Sequence, residues 1–287
     1  ISLSTGSAEN GASGLISLET GEATTGKSGS ITMTVLSSNS KGGDISFQAG
    51  ESTASSGGNV KLQSGWSSDT SSGTIAFGSR DAQTSGVSGG LSLISGTSSS
   101  GNSGVLQVRS GFATGGKGGD IVLSVGTGNT GVGGDVLFSG GASSVSSGGA
   151  VTVASGAGSS TSSGGITVGS ANAGSAGVSG DVTYQSGTTT SGPSGSVTLQ
   201  SGVSVGGKGG STFVTVGDGA ANDGGDIIMT AGKTSADNRG GSVMLTGGKG
   251  DGSGSGKGGY LQLTSGVGTS TSGGAFSITS GKGTDTS

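Results

Sequence analysis

Five aspartates of this 287-residue chain occupy one recurring place, directly before a short apolar segment. Carboxylates stacked in neighbouring copies could hold Ca²⁺, which takes carboxylate and carbonyl oxygens as ligands, and Asp120 and Asp135 belong to consecutive copies. The competing interpretation is a solvated turn in which the Asp side chain makes a local backbone hydrogen bond. We favour the turn, because most copies lack the Asp and the nonapeptide Gly/Asp pattern of calcium-binding β-rolls is absent. The five residues are Asp44, Asp120, Asp135, Asp181 and Asp226.

Two aromatic side chains are the other candidates for a binding contact. Trp66 and Phe112 each directly follow a glycine. An exposed aromatic ring at such a place could contact a polysaccharide, a surface or a partner chain. The alternative is a ring that lies along a turn of its own backbone. The sequence leaves both interpretations open.

The composition excludes most catalytic chemistry. The chain has no His and no Cys, so it lacks the commonest general base, disulfides and thiolate metal sites. Twelve Lys and Arg face 16 Asp and Glu, for a net charge of −4, which disfavours binding to nucleic acid. No apolar run approaches the ~18 residues of a membrane span. We therefore predict no enzyme activity, no catalytic residue, no cofactor, no nucleic-acid partner and no membrane span.

These candidate residues are placed by a repeat of about 15 residues. A short apolar segment begins 19 times, and 13 of the 18 steps between beginnings are 15 residues. Counting the first residue of each segment as position zero, positions zero and two are apolar except at Thr212. This alternation predicts a β-strand with both side chains on one face. The segments begin at residues 1, 16, 31, 45, 60, 75, 91, 106, 121, 136, 151, 166, 182, 197, 212, 227, 243, 261 and 276.

A short fixed period with one apolar strand per copy is typical of a solenoid. Position five is Gly in 16 of 19 copies, which predicts a corner that needs positive φ or close approach of neighbouring backbone, and the glycines before the next segment predict a second corner. We therefore predict an all-β fold, a thin, flattened, single-stack parallel β-solenoid of about 19 rungs. It would span residues 1–287 as one continuous domain, and we expect it to be part of a longer repeat protein.

A longer period of about 91 residues, or six rungs, overlies the short one. Val35, Val125 and Val216 are the only valines at position four, with spacings of 90 and 91 residues. Duplication of a six-rung unit explains this period, and so does regular spacing of lateral contacts along a fibre. The second interpretation gains support from large apolar residues at the outward position one, which could form association strips. They are Val122, Leu137, Phe213, Ile228 and Met244.

Two stretches resemble a known class of protein. Gly118–Gly126 reads Gly-Gly-Asp-Ile-Val-Leu-Ser-Val-Gly, and Ser147–Gly156 reads Ser-Gly-Gly-Ala-Val-Thr-Val-Ala-Ser-Gly. Both look like the long, secreted, Gly/Ser/Thr-rich tandem-repeat proteins of marine stramenopile algae. The resemblance covers the whole chain and implies a long extracellular or cell-surface protein. The 15-residue rung is also similar to insect antifreeze solenoids, although the disulfides that some of those have are absent here.

We expect a structural extracellular protein that forms a rod or fibre by end-to-end and lateral self-association. One alternative is a solenoid that binds ice or a mineral surface through outward Thr and Ser side chains. The outward pairs are irregular, however, since Lys61 and Gln63 or Gln107 and Arg109 interrupt such a face. The other alternative is the stalk of a microbial adhesin or viral fibre. A carbohydrate-processing enzyme is the least favoured class, because so short a rung cannot build a catalytic groove.

Overall fold

The structure, a computed structural model, describes residues 1–220, 223–235, 237–251, 254–270 and 272–281. These ranges contain no helix and no β-strand. The chain divides into two units, Ile1–Phe138 and Ser139–Ser287. Both units are built from the same local structure, which repeats with the period of the sequence.

Each copy of the repeat has an extended segment and one bend. The bends fall at positions eight to ten in copy after copy, for example at residues 9–11, 24–26 and 39–41. In the described residues, every glycine with positive φ is the last residue of such a bend, where the missing Cβ removes the steric penalty. These glycines have φ values of 85–124°. They are Gly11, Gly86, Gly101, Gly131 and Gly192.

In seven copies of the described chain a backbone hydrogen bond joins the two sides of the bend. In the first unit the Gly58 N–H donates to the Gly50 carbonyl at 2.9 Å, and the Gly73 N–H donates to that of Gly65 at 2.9 Å. The acceptor is at position five, and the donor is two places before the next apolar segment. We call this pair the neck and the residues between its members the loop. In the second unit the bonded pairs are Gly141–Gly149, Gly156–Gly164, Gly232–Gly241, Gly248–Gly259 and Gly266–Gly274.

The neck occurs in copies of different length. Gly58 and Gly50 are eight residues apart, as in most of the bonded pairs, whereas Gly241 and Gly232 are nine and Gly259 and Gly248 are 11 residues apart. In these two longer copies the extra residues enlarge the loop and the neck bond is still made. Every one of the 18 completed copies has Gly two places before the next segment, which is the donor position of the neck.

Close packing explains this glycine. A Cβ on Gly58 would lie 3.3 Å from the Cβ of Ala49 and 3.3 Å from the Gly50 nitrogen. A Cβ on Gly14 would lie 3.1 Å from the Thr5 Cβ. Because position four packs directly on the donor glycine, a side chain at the donor position would force the neck apart.

The described residues include no buried side chain. The least exposed ones, which are half-buried, are all small and fall at two positions of the repeat. Position four packs against the neck, and position seven lies inside the loop. They are Ala49, Ser95, Ser186, Ser201 and Ala231 at position four, and Ala113, Thr234 and Gly250 at position seven.

The predicted all-β, single-stack parallel β-solenoid is therefore wrong for the described residues. A solenoid rung gives its backbone N–H and C=O groups to the rungs above and below at ~4.8 Å spacing. Here the hydrogen bond of each neck is made within one copy, and the described residues form no β-strand and no ladder between copies. The two predicted corners are corrected as well, because the bend lies between them, at positions eight to ten. The 15-residue and six-copy periods remain as features of the sequence.

Candidate functional site

The extended segments have two faces of different exposure. In the copy that begins at Ile121, the side chains at positions zero, two and four are 57%, 68% and 45% exposed, whereas Val122 at position one is 81% exposed. Side chains of an extended chain alternate between its two sides. We call positions zero, two and four the even face, and positions minus one, one and three the odd face.

The even face recurs throughout both units. Apolar residues at position zero are about half exposed in every described copy after the first, as Ile16, Ile75 and Val182 illustrate. Apolar odd-face residues such as Leu15, Ile94 and Tyr260 are 85–88% exposed. The two faces therefore differ in the same sense wherever both contain an apolar residue, apart from the two terminal copies.

Three copies have valine instead of a smaller residue at position four. A Cβ on Gly134 would lie 2.8 Å from Cγ1 of Val125, and a Cβ on Gly225 would lie 2.8 Å from Cγ1 of Val216. Val35, Val125 and Val216 are 45–47% exposed, which places them among the least exposed large apolar residues described. The valines that mark the six-copy period thus pack against the glycine that precedes the next segment by two places, within their own copy.

The five predicted association residues all lie on the odd face. Val122, Leu137, Phe213, Ile228 and Met244 are 80–86% exposed. The prediction depended on stacked rungs to join them into strips, and the described residues contain no β-strand that would build such rungs. Their part in association stays a prediction.

Trp66 and Phe112 occupy the first loop residue after the neck glycine. Trp66 is 85% exposed and Phe112 is 92% exposed, so both rings are accessible from solvent. Both lie at position six of their copies, and neither belongs to the even face. Their contact with a polysaccharide or a partner chain stays a prediction.

Of the five aspartates, Asp120 makes an ion pair. Its Oδ1 lies 2.8 Å from Nζ of Lys117, three residues earlier, and the same Nζ donates to Oδ2 at 2.9 Å. Both side chains are mostly exposed, so the pair contributes about 0–1 kcal/mol. In the described part of the chain no three acidic side chains gather in a way that could hold a metal ion. Stacked rungs would have aligned Asp120 with Asp135, and that arrangement is lost with the solenoid.

Sequence reasoning missed the hydroxyl groups that close the bends. Ser143 Oγ accepts hydrogen bonds from the Val145 and Ser146 amides at 3.4 and 3.0 Å. Ser67 Oγ accepts from Asp69 and Thr70 in the same way, at 3.3 and 3.0 Å. A Ser or Thr that bonds the backbone two or three residues on is a common turn device. The available signal was position seven, which contains only Ser, Thr, Ala or Gly.

Comparison with known protein families, curated proteins and solved structures finds no match to this chain. The residues that the structure describes enclose no pocket. Within them, no helix has the length and apolar character needed to cross a membrane.

Proposed function

We propose that this chain is a structural, non-catalytic repeat protein that associates with itself into a fibre or matrix. The observation that supports this most is the surface that the chain exposes, 28184 Å². A folded monomer of 26.3 kDa exposes about 11,000 Å², and the same chain fully unfolded exposes about 38,000 Å². The chain on its own thus hides about a quarter of its surface, where a globular domain of this size hides about 70%.

So little burial does not offset the loss of conformational entropy, which is about 1–2 kcal/mol per ordered backbone residue. The necks and bends order each copy locally, and the apolar residues of the segments still face water. Association lets these residues leave water and supplies the hydrophobic term that a single chain lacks. Self-association is therefore part of the proposed function.

The repetition of one local structure supports a structural role. The neck recurs in both units, and it persists where the copy is longer. A chain that presents one surface many times in succession suits an extended assembly, in which each copy makes the same contact as the last.

The predictions about location, partner and type of fibre still depend on the sequence alone. The extracellular or cell-surface location follows from the resemblance to secreted algal repeat proteins. Polysaccharide contact rests on Trp66 and Phe112 alone, and the stalk of an adhesin or viral fibre is one form that a structural rod could take. Ice or mineral binding depended on a flat Ser/Thr face of stacked rungs, and a thermal-hysteresis measurement tests that alternative.

Sedimentation velocity of the purified chain over a dilution series tests the proposal, with electron microscopy of the most concentrated sample. We expect large, elongated species at high concentration, whose share falls on dilution, because hydrophobic association obeys mass action. A single monomer boundary with the high frictional ratio of an unfolded chain, at every concentration, would contradict it.

A further inference from the structure

We infer that the even face is the surface covered in the assembly, and that a second copy of this chain covers it. This inference rests on the proposed self-association and adds the face and the occupant. The even face consists of positions zero, two and four of each copy, for example Ile121, Leu123 and Val125. Its apolar side chains remain about half to three-quarters exposed in the described inner copies.

The distribution of charge distinguishes the two faces. Positions zero, two and four contain no Asp, Glu, Lys or Arg in any of the 19 copies. The odd face contains Glu19, Lys61 and Arg109 in addition to the five aspartates. Depletion of charge marks the core of a protein–protein interface, whereas bulk hydrophobicity does not. The even face therefore has the composition of an interface core, and the odd face that of a solvated surface.

The proposed even face differs from the association residues predicted from the sequence. Val122 and Ile228 are apolar, but they lie on the face that also presents the charges. Their neighbours Leu123 and Met229 lie on the uncharged even face. Adjacent residues of one segment thus separate the two possible surfaces.

The area available is sufficient for a stable interface. One Val, Leu, Ile, Phe or Met side chain presents roughly 60–120 Å² of apolar surface. With two partly exposed side chains per copy, the even face offers on the order of 100 Å² per copy. A stable interface needs about 800 Å² per partner, which about eight copies provide, and each unit contains about that number.

The 15-residue spacing of the even-face side chains indicates which molecule covers them. A partner must place apolar groups at intervals that match a 15-residue repeat in order to cover the even face along its length. A second copy of the chain has that spacing by construction. Identical surfaces that cover each other are also the commonest basis of protein self-association.

Single-cysteine variants test the face and the occupant together. The chain has no Cys, so Leu123→Cys and Val122→Cys each introduce a unique thiol, on the even and the odd face respectively. Met229→Cys and Ile228→Cys repeat the comparison in the second unit. The rate of reaction with a maleimide is measured for pure protein, both assembled and diluted. On assembly we expect the Leu123→Cys and Met229→Cys thiols to react at least about tenfold more slowly, and the odd-face thiols to change less than about twofold.

The other outcomes each have a definite meaning when sedimentation is recorded on the same samples. Protection of Val122→Cys and Ile228→Cys instead would overturn the inference and favour the odd strips, leaving self-association intact. Equal protection of both faces would also overturn it, because a specific interface has one face. Assembly with no protection on either face would mean that contacts occur through the loops. Absence of assembly would contradict the proposed function itself.

Discussion

Replacing Val151 and Val153 by Asp is expected to shift the self-association midpoint to roughly hundredfold higher concentration. Both residues lie on the even face of one copy and are 57% and 74% exposed. Two such side chains contribute about 3 kcal/mol or more when fully buried, and 1.4 kcal/mol corresponds to a tenfold change in affinity. Placing carboxylates in the interface adds a desolvation penalty. The midpoint is measured by sedimentation over a dilution series.

The matched control is Thr152→Asp together with Ala154→Asp. It adds the same two charges to the same segment, but on the odd face. We expect its midpoint to stay close to that of the unmodified chain, because these side chains remain in water. Equal shifts in the two variants would show that net charge governs association, and the assignment to the even face would then fail.

Gly140→Ala is expected to open the neck of its copy, while Gly141→Ala leaves that neck closed. A Cβ on Gly140 would collide with the carbonyl oxygen of Gly149, whereas a Cβ on Gly141 would have no atom within 4 Å. The Gly149 N–H donates to the Gly141 carbonyl at 2.8 Å, and this bond cannot survive the displacement. Loss of a hydrogen bond worth about 1 kcal/mol corresponds to about fivefold faster amide exchange at Gly149.

The two variants form a close pair, because Gly→Ala restricts the unfolded chain equally in both. The difference between them therefore reports the contact in the neck. Amide hydrogen exchange read by NMR at Gly149 provides the measurement. If Gly141→Ala accelerated that exchange as much as Gly140→Ala, the packing of position four on the donor glycine would not be what holds the neck.

The sequence predicted which side chains of a segment lie on the same side of the chain, but it did not predict the fold. Alternation placed Ile121 and Leu123 on one side and Val122 on the other, and their exposures separate in the same way. The solenoid prediction then took the position-five glycine as a corner with positive φ or close backbone approach. In the described residues the positive φ values lie at the end of the bend, as at Gly131.

The neck could have been found from the sequence. Glycine two places before the next segment is more regular than the position-five glycine, and small residues at position four accompany it. Together they indicate close approach of two backbone strands within one copy, as at Gly58 and Ala49. Periodicity alone cannot distinguish hydrogen bonds made within a copy from those made between copies, because both arrangements repeat at the same interval.

The surface proposed for association differs from the one predicted from the sequence for a related reason. In a solenoid the even face is the core, so only odd residues such as Leu137 and Phe213 remained to contact a partner. Because the described residues contain no β-strand and no buried core, the same even residues are an accessible apolar surface. The choice of association surface thus depended on the predicted fold. The absence of charged residues from the even face, in contrast, can be seen from the sequence alone.

Amide hydrogen exchange of the segment 151–155, measured at several concentrations of the unmodified chain, tests most directly whether a single chain lacks a core. We predict that these amides exchange at close to unprotected rates when the chain is diluted, and at least about tenfold more slowly in the assembly. Gly149, bonded within its own neck, should stay protected at both concentrations. Protection of 151–155 that is equally strong at every dilution would show an intramolecular core and contradict the account.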